Sequence, residues 1–407
     1  MMITIDRAET KEVFDSRGRP TIEVMLVSGE HMVQASVPSG KSTGSKEALE
    51  KRDKDGRGVE DVLHLLREEV FPQLLARTFE NQRALDDFLI ELDGTPNKSR
   101  LGANGILAVS IAFAKLSAAK NKLPVWKFIA KSEGFTAGFP RLYMNVLNGG
   151  AHADFKLPFQ EYIVVAGGLD SVRETYARAK KLFSKLGEIV REETVEEVPF
   201  GDEGGYAPKL ATLDRPFEIL ADLIDSEPTF FLGIDAAATE FLNKEGYRLI
   251  GTNYPREALN EVYGDLMSRF PLRSIEDPFA EDDPQAFAKL LADAPEGTLV
   301  VGDDLTVTNP KVIAEMIVLH AGNALIIKPN QVGSLSEVYD TIRLAHQAGW
   351  KTVVSHRSGE TDDSFIADLA VGVGAYGLKA GAPSQQVRAV KYERLVQIEA
   401  EYANVLQ

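Results

Sequence analysis

The second half of the chain repeats one pattern, a short apolar run that ends on a charged or polar residue. From Glu276 onward these end residues are Asp303, Lys328, His356 and Lys379, at spacings of 27, 25, 28 and 23 residues. Each spacing is about the length of one strand and one helix, and the segments between the runs carry apolar residues at helical period. Repeated strand–helix units are typical of a parallel barrel. The pattern predicts a (β/α)8-type barrel with these end residues at its mouth.

The first part of the chain has a different organisation. Residues 2–37 alternate like three strands joined by polar turns. Helices are then predicted over 59–75, 81–92 and 104–120, the last with Asn104 as its N-cap. We therefore predict an α/β protein with an N-terminal α+β cap domain over residues 1–130 and a C-terminal barrel over 140–407.

Composition excludes several classes of protein. The 407 residues are 44% hydrophobic and 26% charged, which is globular and not disordered. A net charge of −16 argues against coating nucleic acid, which needs a basic face. The chain has no cysteine, so disulfides, Cys-zinc sites and thiol nucleophiles are excluded. The N-terminus is too charged for a signal peptide, and no apolar run reaches about 18 residues, so we predict a cytoplasmic protein without a membrane span.

Three successive predicted strands end on carboxylates. These residues are Asp235, Glu276 and Asp303. Three carboxylates at one barrel mouth repel one another unless a hard cation lies between them, and oxygen-only ligands suit Mg²⁺. The alternative is that each acidic residue merely caps the helix that follows. Three in succession favour the metal site.

Two later strands end on lysines, Lys328 and Lys379. Burying a lysine at a barrel mouth costs free energy unless the ammonium has a catalytic role or forms an ion pair. A neighbouring ammonium and a nearby metal would depress its pKa and leave one lysine a usable base. A structural ion pair with the carboxylates is the equal alternative.

Several loop residues are weaker candidates. Asp202 and Glu203 lie between glycines in GDEGG, where a carboxylate facing the lysines could act as the acid partner. His152, in NGGAHADFK, is another candidate of this kind. So are the neighbouring residues Gln160 and Glu161, at the start of the apolar run EYIVV. Taken alone, each of these positions fits a surface turn or a structural residue equally well.

Two basic segments could bind an anion. Arg357 and Ser358 follow a strand and could hold a phosphate or carboxylate, or could form a solvated turn. Residues 35–43, ASVPSGKST, resemble a nucleotide-binding P-loop. The first glycine that this motif requires is replaced by alanine, however, and the surrounding strands form a meander and not the parallel βαβ unit in which a P-loop occurs. A lid that brings Lys41 and Ser42 over an anionic site fits better.

With these residues assembled, the chain resembles the enolase (phosphopyruvate hydratase) family over nearly its full length. The matching stretches, in the family's order, are DSRGRPTIEV, VPSGKSTGSKEALE, NKSRLGANGIL, NVLNGGAHA, QEY, GDEGGYAP, GIDAAATEF, SIEDPFAEDD, GDDLTVTNPK, SHRSGETDDSFIADL and KAGAP. The resemblance implies a barrel that opens ββαα and the Mg²⁺-dependent, reversible dehydration of 2-phospho-D-glycerate to phosphoenolpyruvate. It implies two Mg²⁺ ions per active site, the second bound with substrate.

The resemblance also implies roles for individual residues. Lys328 matches the base that removes the proton α to the carboxylate, and Glu203 the acid that helps the hydroxyl leave. The other matches are Asp235, Glu276 and Asp303 with the first Mg²⁺; Ser42 with the second; Arg357 and Ser358 with the phosphate; and His152, Gln160, Glu161 and Lys379 with the rest of the substrate site.

The chain departs from the family pattern at a few positions. Lys41 replaces a small residue in the mobile loop, where it could contact the substrate or compete with the second metal. Pro329 follows the base at a position where many members have valine. Gln397 replaces an arginine that is associated with dimer contacts. A homo-oligomer is therefore expected, but the change at Gln397 argues against the family's usual dimer interface. Two other functions remain open, a paralogue acting on a related phospho- or phosphonoglycerate and an inactive scaffold. The intact site residues disfavour the scaffold.

Overall fold

The computed structural model describes residues 2–41, 44–153, 156–168, 171–194 and 197–405. The first region is a cap of strands and helices. Its strands are β1 (Ile3–Thr4), β2 (Arg7–Phe14), β3 (Pro20–Ser28), β4 (His31–Ser36) and β5 (Thr78–Phe79). Its helices are α1 (Glu60–Leu65), α2 (Phe71–Leu75), α3 (Gln82–Asp93), α4 (Ala103–Lys120) and α5 (Val125–Glu133), and a π-helical turn, Leu66–Val70, joins α1 to α2.

The predicted meander is an antiparallel sheet in the order β2–β3–β4. Its first reversal is made by Asp15, whose Oδ1 accepts hydrogen bonds from the amides two and four residues further on, at 2.8 and 2.9 Å. The central strand, β3, alternates in burial, and its fully buried side chains Ile22, Val24 and Leu26 face the side on which α4 packs. The sheet therefore rests on the most buried helix of the cap.

The predicted N-cap of α4 is wrong. The helix begins at Ala103, and the cap position is Gly102 with a positive φ of 93°. Asn104 lies inside the first turn, where its side chain accepts a hydrogen bond from the Lys51 amide at 3.1 Å and donates one to the Lys51 carbonyl at 3.0 Å. Asn104 thus holds a distant loop of the cap against the helix.

The second region supplies the remaining strands and helices. The strands are β6 (Arg141–Asn148), β7 (Glu161–Ala166), β8 (Phe231–Asp235), β9 (Leu242–Asn243), β10 (Gly246–Leu249), β11 (Thr252–Tyr254), β12 (Leu272–Glu276), β13 (Leu299–Gly302), β14 (Ala324–Ile327), β15 (Lys351–Ser355) and β16 (Gly377–Lys379). The helices are α6 (Val172–Glu193), α7 (Arg215–Ile224), α8 (Arg256–Arg269), α9 (Pro284–Asp293), α10 (Pro310–Val318), α11 (Pro329–Val332), α12 (Leu335–Gln347), α13 (Phe365–Gly372) and α14 (Gln386–Val405).

Eight of these strands close into a barrel in the order β6–β7–β8–β12–β13–β14–β15–β16. β7 is antiparallel to both of its neighbours, and all the other pairs are parallel. The order β6, β7, α6, α7 confirms the barrel that opens ββαα. Because β7 is reversed, its first residue, Glu161, pairs with Asp235 at the mouth. The small sheet β9–β11, which follows β8, was not predicted.

The cap and the barrel share one buried apolar core. Ion pairs also link them: Lys115 Nζ lies 2.7 Å from Asp363, and Lys98 Nζ lies 2.9 Å from Glu337. The cap is thereby held beside the barrel, and its residues 38–41 reach the mouth. Within the described ranges, no helix is both long enough and apolar enough to cross a membrane.

Candidate active site

The three predicted metal-ligand carboxylates lie side by side at the barrel mouth. Asp235 and Glu276 end β8 and β12 and are paired in register, while Asp303 directly follows β13. All three side chains are buried. The parallel register of adjacent strands explains this clustering, since it brings equivalent strand ends to one edge.

Both predicted lysines enter this acidic cluster. Lys379 Nζ lies 2.7 Å from Glu276 Oε2, 3.1 Å from Glu161 Oε2 and 3.3 Å from Asp235 Oδ2. Lys328 Nζ makes a short contact with the carboxylate of Asp303. The ion-pair alternative is therefore present in the structure, and it places two amines beside the carboxylates that would face a substrate.

The local charges shift the pKa values of these groups in opposite directions. Burial raises the pKa of Glu276, and the charge of Asp235 raises it further. Burial opposes ionisation of Asp303, but the Lys328 ammonium lowers the Asp303 pKa below its usual value. Burial likewise disfavours the Lys328 ammonium, yet the Asp303 carboxylate raises the Lys328 pKa. Among the protein's own charges the Asp303 contact thus outweighs the neighbouring ammonium at Lys328, and the depression of the Lys328 pKa by a nearby metal stays a prediction.

The donor set fits a hard cation. Glu276 Oε1 is buried and has no hydrogen-bond partner among the described residues, although the other oxygen of this carboxylate contacts Lys379. Besides burial, the charges of Asp235 and Asp303 raise the pKa of Glu276, so negative charge is concentrated around this carboxylate. A divalent ion with oxygen ligands would balance that charge and use the unpaired oxygen.

Asp303 also belongs to a second acidic group. Single carboxylate oxygens of Asp277, Asp303 and Asp304 lie within 4.8 Å of one another. The Asp277 carboxylate, however, accepts hydrogen bonds from the amides of Asp303 and Asp304 at 2.9 and 2.8 Å. Asp277 therefore holds the backbone of the turn after β13, which carries Asp303.

Glu203 lies in the predicted glycine-flanked loop and is buried. Its Oε2 accepts a hydrogen bond from Asn145 Nδ2 at 2.9 Å and lies 3.5 Å from His356 Nε2. Burial lowers the pKa of His356 to about 4, so this imidazole is neutral at neutral pH. The Glu203 charge contributes, after burial, to the raised pKa of Glu161. Glu203 and Glu161 are thus two buried carboxyls whose charges act on each other.

The predicted anion-binding residue Arg357 is held by a carboxylate that sequence reasoning missed. Arg357 Nη1 and Nη2 lie 3.1 and 3.3 Å from the two oxygens of Glu47. Gly40 passes so close that a Cβ there would lie 1.9 Å from Arg357 Nη2, so any larger residue would displace the guanidinium from this position. Glu47 falls within VPSGKSTGSKEALE, but nothing in its spacing indicates this partner.

A second missed residue is Arg388, which is fully buried. Its guanidinium donates to the carbonyls of Arg357 at 2.6 Å, Ser358 at 2.7 Å and Asp202 at 3.2 Å, and it contacts His356 Nδ1. Arg388 thereby joins the predicted phosphate segment to the loop that carries Glu203. Nothing in the short-range pattern around Arg388 indicates contacts with carbonyls so far away in the chain.

One cavity collects most of the predicted site. Its lining includes Gln160, Glu161, Glu203, Asp235, Asp303, Lys328, Arg357, Ser358 and Lys379, and Glu276 contacts Lys379 beside it. Gln160 Nε2 also donates to Asp235 Oδ2 at 3.3 Å. Ser42 and the side chain of His152 lie outside the described residues. The structure therefore brings together every predicted site residue whose side chain it describes.

Comparison with known proteins agrees with this geometry. The family model for the enolase N-terminal domain matches residues 5–129, and the model for the enolase C-terminal TIM barrel domain matches residues 137–407. The chain is 41% identical to the enolase of Methanopyrus kandleri over 420 residues, covering 100% of this chain and 98% of that enolase. The enolases of Mycobacterium leprae and Kineococcus radiotolerans are 40% and 41% identical, each covering 98% of this chain and 95% of the relative. The chain therefore belongs to the enolase family, and its activity is that of a phosphopyruvate hydratase, which interconverts 2-phosphoglycerate and phosphoenolpyruvate.

Proposed function

We propose that Lys328 and Glu203 transfer the protons of this dehydration. The observation that carries the proposal is that both side chains line one cavity together with the carboxylate cluster and Arg357. They approach it from different parts of the barrel, since Lys328 follows β14 while Glu203 is bound by Asn145 of β6, three strands away. A substrate between them could lose a proton to one residue and gain a proton from the other.

Membership of the enolase family implies Mg²⁺, and Asp235, Glu276 and Asp303 are the residues that would hold the first ion. The unpaired oxygen of Glu276 supports this choice. Held by these residues, the ion would supply positive charge to stabilise the substrate carboxylate and to offset the Asp303 charge that raises the Lys328 pKa. In the proposal, Ser42 joins a second ion together with the substrate.

In the proposed mechanism, side chains of the protein take up and supply both protons of the reaction. Neutral Lys328 takes the proton from C2, and the electron pair of that C–H bond becomes the second bond between C2 and C3. The C3–O bond breaks, and a proton from Glu203 completes the departing water. Burial raises the pKa of Glu161 well above its usual value, and the Glu203 charge raises it further, which favours the protonated form of a carboxyl in this pair. Lys379 balances charge beside the substrate carboxylate.

The remaining substrate contacts are assigned on position and on the family resemblance. Arg357 and Ser358 would bind the phosphate, and their segment is held by Arg388. His152, Gln160 and Glu161 complete the proposed substrate site. A homo-oligomeric assembly and a cytoplasmic location also stay predictions.

Phosphoenolpyruvate formation tests the function directly. With 2-phosphoglycerate and Mg²⁺ we expect rapid turnover that a chelator abolishes and that added Mg²⁺ restores. Folded protein that binds Mg²⁺ without turnover would contradict the proposal. In that case a phosphono analogue of the substrate, offered to the same protein, would test the paralogue hypothesis.

Glu203→Gln separates the two proton transfers. Dehydration should fall by roughly 10²- to 10⁴-fold, because the acid is lost. Exchange of the C2 proton with D₂O, followed by NMR, should persist, because Lys328 is intact. Glu240→Gln is the matched control, since Glu240 is exposed and lines the same cavity. Dehydration at the normal rate in Glu203→Gln would remove Glu203 from the mechanism.

A further inference from the structure

Lys41, which replaces a small residue of the family pattern, links two loops of the barrel to the cap. Its Nζ donates to Asp202 Oδ2 at 2.8 Å and to the Ala151 carbonyl at 3.1 Å. Both acceptors lie beside proposed site residues, Asp202 next to Glu203 and Ala151 next to His152. Lys41 also lines the cavity of the active site. The side chain therefore connects a cap residue to the loop that carries the acid.

The backbone that precedes Lys41 is well held. Ser39 and Gly359 exchange both of their amide–carbonyl hydrogen bonds, at 2.8 and 3.0 Å. Arg17 donates to the carbonyls of Ser39 and Gly40, at 3.4 and 3.3 Å. In this arrangement Lys41 follows two residues whose backbone is hydrogen-bonded to the barrel and to Arg17, and its contact with Asp202 can hold that residue in place.

The loop that receives this contact is a tight turn around Glu203. The amide of Gly201 donates to the Gly205 carbonyl at 2.8 Å, and the amide of Gly204 donates to the Gly201 carbonyl at 3.1 Å. Within the turn, the Asp202 carbonyl is held by Arg388 and its carboxylate by Lys41. Holding both ends of Asp202 limits the movement of the next residue, the proposed acid.

We propose that Lys41 is a positioning residue for Glu203, acting through its ion pair with Asp202. The inference rests on the proposed role of Glu203 as the acid. The ion pair is half-exposed, with 44% of the Lys41 side chain and 28% of the Asp202 side chain accessible. Such a pair contributes at most about 1 kcal/mol. Its loss should therefore lower the rate of the acid-assisted step by roughly fivefold, without unfolding the protein.

The alternative role for Lys41 is direct contact with the substrate anion. In the structure its ammonium contacts two protein acceptors, and neither is a residue proposed to bind the anion. The two roles differ in what they slow. A substrate contact would affect binding and both proton transfers, whereas a positioning residue for Glu203 would affect only the step in which the hydroxyl leaves.

The test measures dehydration and C2-proton exchange in D₂O for Lys41→Ala, Asp202→Asn and the double variant. We expect each single variant to lower kcat for dehydration about fivefold and the double variant to add little, because the residues act as one pair. Exchange and KM should stay within about twofold of the parent values, and Lys41→Arg should recover kcat. Lys11→Ala is the matched control, because Lys11 forms a 2.8 Å ion pair with Glu23 in the cap sheet.

Two outcomes would overturn the inference. Equal losses of exchange and dehydration with a raised KM would make Lys41 a substrate contact. Activity of Lys41→Ala equal to that of Lys11→Ala would show that the ion pair does not influence catalysis. Neither outcome touches the acid assignment, which fails only if Glu203→Gln dehydrates normally.

Discussion

Lys328→Ala should lower kcat by roughly 10³-fold or more. General base catalysis contributes about 10²- to 10⁴-fold. The other amine of the site, Lys379, cannot replace the base, because Glu161, Asp235 and Glu276 surround its ammonium and raise its pKa. Exchange of the C2 proton should be lost together with dehydration, because both require the base. This joint loss distinguishes Lys328 from Glu203, whose removal should spare exchange.

The same variant should still bind Mg²⁺. Lys328 contacts the Asp303 carboxylate, so removing the ammonium takes away a competitor for one proposed metal ligand. We expect the Mg²⁺ affinity, measured by calorimetry, to be equal to that of the parent or tighter. Circular dichroism provides the check on folding. Exchange at the parent rate in a folded, Mg²⁺-binding Lys328→Ala protein would assign the base to another residue.

Lys379→Met should lower the free energy of unfolding by about 3–5 kcal/mol in the presence of chelator. One ammonium contacts three buried carboxylates, and its removal leaves their charges without that partner. Mg²⁺ should restore part of the loss, because the ion would neutralise the same cluster. Urea unfolding with and without Mg²⁺ measures both effects.

The stability loss in Lys379→Met should also shrink as the pH falls. Glu161 and Glu276 already have pKa values above the ordinary 4.5 in the folded protein. Lys379 lowers both values, so its removal raises them further. Between 4.5 and these raised values the folded variant binds more protons than its unfolded state, so its stability increases as pH decreases, and over a wider pH range than in the parent. Lys391→Met is the control, since buried Lys391 pairs with the single carboxylate of Glu360. If Mg²⁺ raised the free energy of unfolding of Lys379→Met by no more than that of Lys391→Met, the prediction that the ion neutralises this cluster would be contradicted.

The site was predictable where it depends on local pattern. A strand of a parallel barrel presents its last residue at the mouth, so the apolar runs before Asp235, Glu276 and Asp303 were enough to group these residues. The same argument located Lys328 and Lys379. The reversed strand β7 was recognisable only from the family resemblance, because a run of apolar residues has no sign of its direction.

The errors and omissions involve partners that are far apart in the chain. Asn104 bonds Lys51, 53 residues away, and Glu47 meets Arg357 across 310 residues. The raised pKa of Lys328 has a similar cause, because it depends on which carboxylate oxygen the ammonium contacts in three dimensions. Such pairings follow from how the cap and barrel pack, and short-range periodicity carries no information about them.

The hydrogen bonds of Arg388 have a consequence for the order in which a working enzyme is assembled. Arg388 is near the start of the last helix, α14, yet it holds the carbonyls of Asp202, Arg357 and Ser358. During synthesis, all the residues proposed to bind metal or transfer protons leave the ribosome before it does. Until Arg388 is in place, the acid loop and the phosphate loop lack the guanidinium that joins them. We therefore expect full activity only after the C-terminal helix has docked.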